Sequence, residues 1–183
     1  VSIRGEAVWS SPSYYLPRPL EVLENPWIQY SVLLPREQLE PHAAKFNGTN
    51  AAALRALGVD TALSHMEWFI RADGSPVISE VGARPPGVHL MPMMGHCHGV
   101  DMWAKWATLM VRGEFSVPQR RYACGTAFFR GQGHGQVVRA VEGVELVNEA
   151  IGGLVVDSRL PHRFRNIGTG PGEIVSACTP PTF

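Results

Sequence analysis

The feature that most restricts the fold is an Asp-Gly pair inside the stretch SHMEWFIRADGSPVISEVGARPPG, residues 64–87. Asp73-Gly74 lies between two alternating apolar runs, a strong short-range signal for a β-hairpin. With the turn centred there, positions equidistant from it face each other. Phe69 then faces Ile78, and Glu67 faces Glu80. A four-residue loop, Ala72 to Ser75, keeps this register, whereas a three-residue loop does not. The two glutamates are expected on one face of the sheet, with Cβ atoms about 5 Å apart. Gly82 and Arg84 continue the Glu80 face, and His65 and Phe69 continue the Glu67 face.

Two opposed carboxylates repel each other and destabilise a strand pair. A shared proton, a nearby arginine or a divalent cation would compensate. Arg84 lies two pleats from Glu80 on the same face. Mg²⁺ takes one or two protein carboxylates and fills its shell with phosphate oxygens and water. The plainer alternative is an acidic edge on a solvated face, paired with surface arginines.

The rest of the chain sets limits. At 183 residues it holds one domain or one and a half. Net charge is zero and the isoelectric point is about 7.2, so no general basic field draws nucleic acid or an anionic membrane. No apolar run reaches the roughly 18 residues of a membrane helix, and no secretory signal opens the sequence. Three scattered cysteines, Cys97, Cys124 and Cys178, suggest a reducing compartment without a disulfide framework, with the cytoplasm as the default.

Strands are expected over 1–10 and 27–33, separated by a segment with Pro12, Pro17, Pro19 and Pro26. A helix is expected from Arg36 to Leu57, broken near Asn47-Gly48, with Thr49 or Asn50 as a new cap and Gly58 as the stop. The hairpin covers 62–84, and Pro85-Pro86-Gly87 ends it. Asp101 starts a second helix that Gly113 closes, with Met102, Trp106, Leu109 and Met110 as its core stripe. Further strands are expected at 122–130, 135–141, 153–157 and 173–178. The loop GQGHG (131–135) reads as a tight hairpin turn between strands, not a phosphate loop, and GTGPG (168–172) as a loop. HCHG (96–99), with His89 upstream, has ligand-type residues in no zinc spacing. Cys124 reads as a small buried strand residue.

On these residues the chain resembles the metal-binding end of an ATP-grasp domain. That family has a strand with a Glu-x-Phe-like motif followed by a strand reading Glu-x-Asn-x-Arg. Here the first is Glu67-Trp68-Phe69 and the second Glu80-Val81-Gly82-Ala83-Arg84, thirteen residues apart. The continuation RPPG…GVDMW is similar to the branch of L-amino-acid ligases and related carboxylate–amine ligases, including biotin carboxylase-like enzymes. The similarity is specific over about residues 55–112.

The resemblance implies an α+β fold. Residues 1–114 would form an antiparallel sheet packed with helices, the C-terminal half of an ATP-grasp domain, and 115–183 a smaller β-rich subdomain. Glu67 and Glu80 would hold Mg²⁺ (or Mn²⁺) against ATP. Arg84 would hold the transferring phosphate or the acyl-phosphate intermediate. Phe69, with Ile78 opposite, would cover one side of the adenine. Gly82 departs from the family, where many members have asparagine. The implied reaction joins a small-molecule carboxylate to an amine with ATP, in an enzyme whose N-terminal lid would precede this chain; the chain alone is expected to be inactive. A homodimer is compatible with it, and neither nucleic acid nor membrane is an expected partner. Carboxylase-type activation of bicarbonate and a non-catalytic nucleotide-binding module are the alternatives.

Overall fold

The computed structural model describes residues 1–25, 28–36, 43–128, 154–157 and 174–178. It is a small α+β protein with four helices among these residues. The chain divides into two compact units. One comprises Val1–Pro12 and Glu37–Arg120, the other Ser13–Arg36 and Arg121–Phe183. The second unit thus combines two segments that are separate in sequence.

The first unit opens with a short hairpin, β1 (Ser2–Ile3) and β2 (Glu6–Ala7), where one strand over 1–10 was expected. Gly5 makes the reversal with φ +79°. Ser2 exchanges backbone hydrogen bonds with Ala62 at 2.9 and 3.1 Å, which ties the segment entering the site hairpin to β1.

In the second unit, β3 (Tyr14–Leu16) is followed by α1 (Pro19–Glu24) and β4 (Tyr30–Leu34). In the first, α2 (Ala43–Ala56) runs unbroken through Asn47 and Gly48. The expected break and recapping do not occur. Poor propensity costs about 1 kcal/mol at a glycine. Tertiary contacts offset it, because Phe46 meets Trp68 edge-to-face at 5.3 Å and Ser10 donates to Asn47 Oδ1 at 3.2 Å. Gly58 stops the helix as expected. It has φ +69°, and the amides of Gly58 and Val59 donate to the carbonyls of Arg55 and Leu54.

The site hairpin is β5 (His65–Ile70) and β6 (Pro76–Gly82). A helix absent from the sequence reading, α3 (Leu90–His98), comes next. Pro92 masked it, yet proline is tolerated in a first turn, where amides have no intrahelical acceptor. Then α4 (Met102–Arg112) is capped by Asp101, whose Oδ1 accepts from the amides of Trp103 and Ala104 at 2.9 and 3.0 Å. Gly113 ends it with φ +67°.

Helices α3 and α4 pack together, and Met91, Met93, Met94, Cys97, Met102 and Leu109 form the buried core there. Met110, expected in the same stripe, is 53 % exposed. Residues seven apart on a helix are nearly in line, whereas residues eight apart diverge by about 80°. The covered stripe is narrow: Met102 and Leu109 are buried and Trp106 is half-buried.

The second unit holds a five-stranded sheet completed by β7 (Cys124–Phe128), β8 (Leu154–Asp157) and β9 (Ile174–Cys178), in the order β3-β4-β7-β9-β8. Its β3/β4 and β4/β7 pairs are antiparallel, while β7/β9 and β8/β9 are parallel. The sheet is thus mixed, not antiparallel throughout. Sixteen residues separate Asp157 from Ile174, enough for the crossover that parallel neighbours require. Cross-strand pairs Val32/Thr126 and Leu34/Cys124 form its buried face, and Tyr30 stacks on Phe128 at 4.5 Å. Cys124 is a buried strand residue, as expected. The expected strand 135–141 and the loops 131–135 and 168–172 lie outside the described residues.

Candidate acid pair on the hairpin

The hairpin turn is a three-residue loop, Ala72–Gly74. Arg71 N–H donates to Ser75 O and Gly74 N–H to Arg71 O, each at 2.9 Å. Gly74 takes the left-handed conformation this loop requires, with φ +76°. Asp73 Oδ1 fixes the turn by accepting from Ser75 N at 2.8 Å and Ser75 Oγ at 2.6 Å.

A three-residue loop shifts the register by one, so the strand ends pair Ile70↔Pro76, Phe69↔Val77 and Trp68↔Ile78. A bulge between Glu67 and Trp68 then reverses the shift. One extra residue, Ser79, is accommodated on β6, and beyond it Glu67↔Glu80, Met66↔Val81 and His65↔Gly82 are paired. The glutamates therefore stand directly opposite each other, by two irregularities that cancel.

The compensation corrects one expectation. Ile78 faces Trp68, not Phe69, and shares the other face of the ribbon. Val77 takes the place opposite Phe69. Only Phe69, 44 % exposed, remains as a large apolar residue of β5 beside the acids. On the opposite face, Trp68 packs against Phe46 of α2. One face is anchored and the other is open.

On the open face Arg84 Nη2 donates to Glu80 Oε1 at 3.3 Å, an ion pair half-exposed on both sides. Arg84 Nη1 also donates to Pro85 O at 3.1 Å. The carboxylate of Glu67 has no hydrogen-bond or ion-pair partner among the described residues. His65 sits half-buried at the end of the same row. Burial, and then the charge of Arg84, holds its imidazole below the ordinary value of 6.5 against the opposing pull of Glu67 and Glu80. Two glutamates and one guanidinium share this face.

This donor set fits a hard divalent cation. Glu67 and Glu80 are register partners and both are exposed, which leaves the solvent side open for water and phosphate oxygens. Among the described residues no group of three or more His, Cys, Asp or Glu converges on a metal position. Lys105 is engaged by Ser116, to whose Oγ and carbonyl it donates at 2.6 and 2.9 Å. His96, Cys97 and His98 fall on α3, and the last two are buried.

Sequence reasoning missed the bulge, which has no glycine to announce it. It also missed the contact between Gly82 and Arg84. A Cβ placed on Gly82 would stand 3.3 Å from both Cγ and Nε of Arg84. No helix among the described residues is long and apolar enough to cross a membrane. Compared with known proteins, the chain matches no family model, no curated protein and no solved structure.

Proposed function

We propose that the open face of the hairpin is the divalent-metal and phosphate site of an ATP-dependent carboxylate–amine ligase of the ATP-grasp type. The observation that supports it most is the direct opposition of Glu67 and Glu80 across a bulged ribbon, with Arg84 in contact with Glu80. Like charges opposite each other cost stability. A hairpin that keeps both needs a cation to justify them, and one arginine neutralises only one.

Mg²⁺-bound ATP, when present, supplies the phosphoryl group that converts a carboxylate into an acyl phosphate open to attack by an amine. The chain's residues position that chemistry. Glu67 and Glu80 offer hard oxygen ligands, Arg84 offers a planar pair of donors to phosphate oxygens, and Phe69 offers an apolar surface for a base. Phosphoryl transfer depends on placement and neutralised oxygens more than on covalent help.

A second reading has its own observation. The Glu80–Arg84 contact is an i,i+4 ion pair of the kind found on solvated surfaces, and would leave a non-catalytic module. Mn²⁺ titration followed by electron paramagnetic resonance separates the two. The metal reading expects Mn²⁺ to bind, and Glu67→Gln and Glu80→Gln each to abolish binding while the circular dichroism spectrum is kept. Unchanged Mn²⁺ binding in Glu80→Gln leaves only the surface ion pair. In the complete enzyme, Glu80→Gln is expected to lower turnover about a hundredfold, the scale of losing one preorganised stabiliser.

A further inference from the structure

Gly82 lies within β6, where glycine weakens a strand relative to alanine. Its backbone gives no reason for the choice, because it is not among the residues with positive φ. The side chain of Arg84 gives one. It lies back along the strand over Gly82, with Cγ and Nε 3.3 Å and Cδ 3.7 Å from where a Cβ would be, and its guanidinium ends 3.3 Å from Glu80.

We infer that Gly82 is a positioning residue, whose missing side chain lets Arg84 rest on Glu80 as a resident counter-ion that an incoming divalent cation must displace. The inference depends on the metal reading of Glu67 and Glu80. In the metal-free chain Arg84 relieves the repulsion between the acids. When a cation takes Glu80, Arg84 is released toward the solvent side, where anionic oxygens of a ligand are met. Arg84 thus competes with the metal, and Gly82 sets how well.

The contact is easily disturbed. A charge-assisted N–H···O bond is about 2.7–2.9 Å at its best, so the 3.3 Å separation has little reserve. A methyl group at position 82 presses on a flexible side chain, not on backbone. Gly82→Ala should therefore fold, keep the charge of Arg84, and shift the guanidinium off Glu80.

The test is Mn²⁺ affinity in the unsubstituted chain, Glu80→Gln, Gly82→Ala, Arg84→Gln and the double variant Gly82→Ala/Arg84→Gln. Removing an exposed pair frees Glu80 by an amount that corresponds to a gain of about twofold to fivefold for Arg84→Gln, with a smaller gain for Gly82→Ala. In the Arg84→Gln background, Gly82→Ala should add nothing, since it acts only through Arg84. A gain that persists there, or Gly82→Ala binding like the unsubstituted chain while Glu80→Gln binds nothing, overturns the role of Gly82 and leaves the metal reading standing. No Mn²⁺ binding by the unsubstituted chain, or unimpaired binding by Glu80→Gln, overturns the metal reading itself. A measurement on the unsubstituted chain does not depend on any variant folding. The Arg84 Nε–H resonance should move as Mg²⁺ is added, and a resonance that stays fixed while Mg²⁺ binds sinks the displacement.

Discussion

Helix α3 and the open face of the hairpin both carry residue types that can serve as ligands, and the structure treats them oppositely. On α3, Cys97 and His98 are turned inward among Met91, Met93 and Met94. His98 Nδ1–H donates to Met94 O at 2.7 Å, and its ring meets Trp9 edge-on at 5.4 Å. On β5 and β6 the acids face outward, and one of them has no partner among the described residues. Ligand-type residues whose polar groups are satisfied by their own fold hold the core together. Ligand-type residues paired across the open face instead keep their polar groups in solvent.

If that contrast is right, truncation in the α3–α4 core must be far more damaging than neutralising the acids. Met102 is 2 % exposed in the α3–α4 core. Met102→Ala is expected to lower unfolding free energy by about 2–5 kcal/mol, the usual range for a buried methionine. Urea unfolding with an unchanged slope measures it. A loss under about 1 kcal/mol would mean that α4 is not part of the core.

Two glycines sharpen the same contrast at the level of one methyl group. A Cβ on Gly95, in α3, would stand 2.8 Å from the carbonyl oxygen of Val100. That oxygen belongs to the backbone that reverses at Gly99, and it cannot swing aside as the Arg84 side chain can. Gly95→Ala is expected to cost about 1–3 kcal/mol. Gly82→Ala is expected to cost under about 1 kcal/mol. Equal costs at the two sites would remove the distinction between a rigid neighbour and a flexible one.

The two histidines extend the comparison to pH. Burial lowers the His98 imidazole below its ordinary value of 6.5, with a smaller push from Arg120 against the pull of the Met94 carbonyl. His65 is lowered as well. Folding therefore favours the neutral rings. Their contribution to stability is complete above pH 6.5 and is lost as pH falls below it, because the unfolded chain takes up the proton first. The melting temperature should fall between pH 7.5 and 5.5. His98→Asn keeps a donor for the Met94 carbonyl without a titrating ring, so it should flatten the slope while lowering stability throughout. An unaltered slope would show that His98 does not carry the dependence.

What the sequence made legible was largely local. Asp101 and Gly113 bound α4 as caps, Gly58 closes α2, and Asp73-Gly74 marks the hairpin. These are decided within a few residues by backbone conformation and hydrogen bonding. The opposition of Glu67 and Glu80 was also legible, but it survives only because the Ser79 bulge cancels the shorter loop. Nothing in Val77-Ile78-Ser79-Glu80 signals that bulge, which has no glycine and no other local turn chemistry. The three-residue turn set Ile78 opposite Trp68, while non-local packing kept α2 whole through Gly48 and left Met110 outside the α4 stripe. The mixed sheet was equally out of reach, because strand direction depends on partners distant in sequence.

The smallest effect tests the acids most directly, in metal-free buffer. Glu67 faces Glu80 and has no ion-pair partner among the described residues, whereas Glu80 faces Glu67 and also holds Arg84. Glu67→Gln removes a repulsion and loses no attraction, so it should stabilise the chain by a few tenths of a kcal/mol. Glu80→Gln removes the same repulsion and also an exposed ion pair of about 0–1 kcal/mol, so its net effect should be near zero. For a chain of this length the difference between the variants amounts to about 2 °C or less in melting temperature. It should disappear in 1 M salt, where screening acts over about 3 Å. Mg²⁺ should reverse the order relative to the unsubstituted chain, raising its melting temperature and leaving both variants unmoved. If Glu67→Gln destabilises the metal-free fold by more than about 1 kcal/mol, Glu67 is a structural residue and the pair is not poised for a cation.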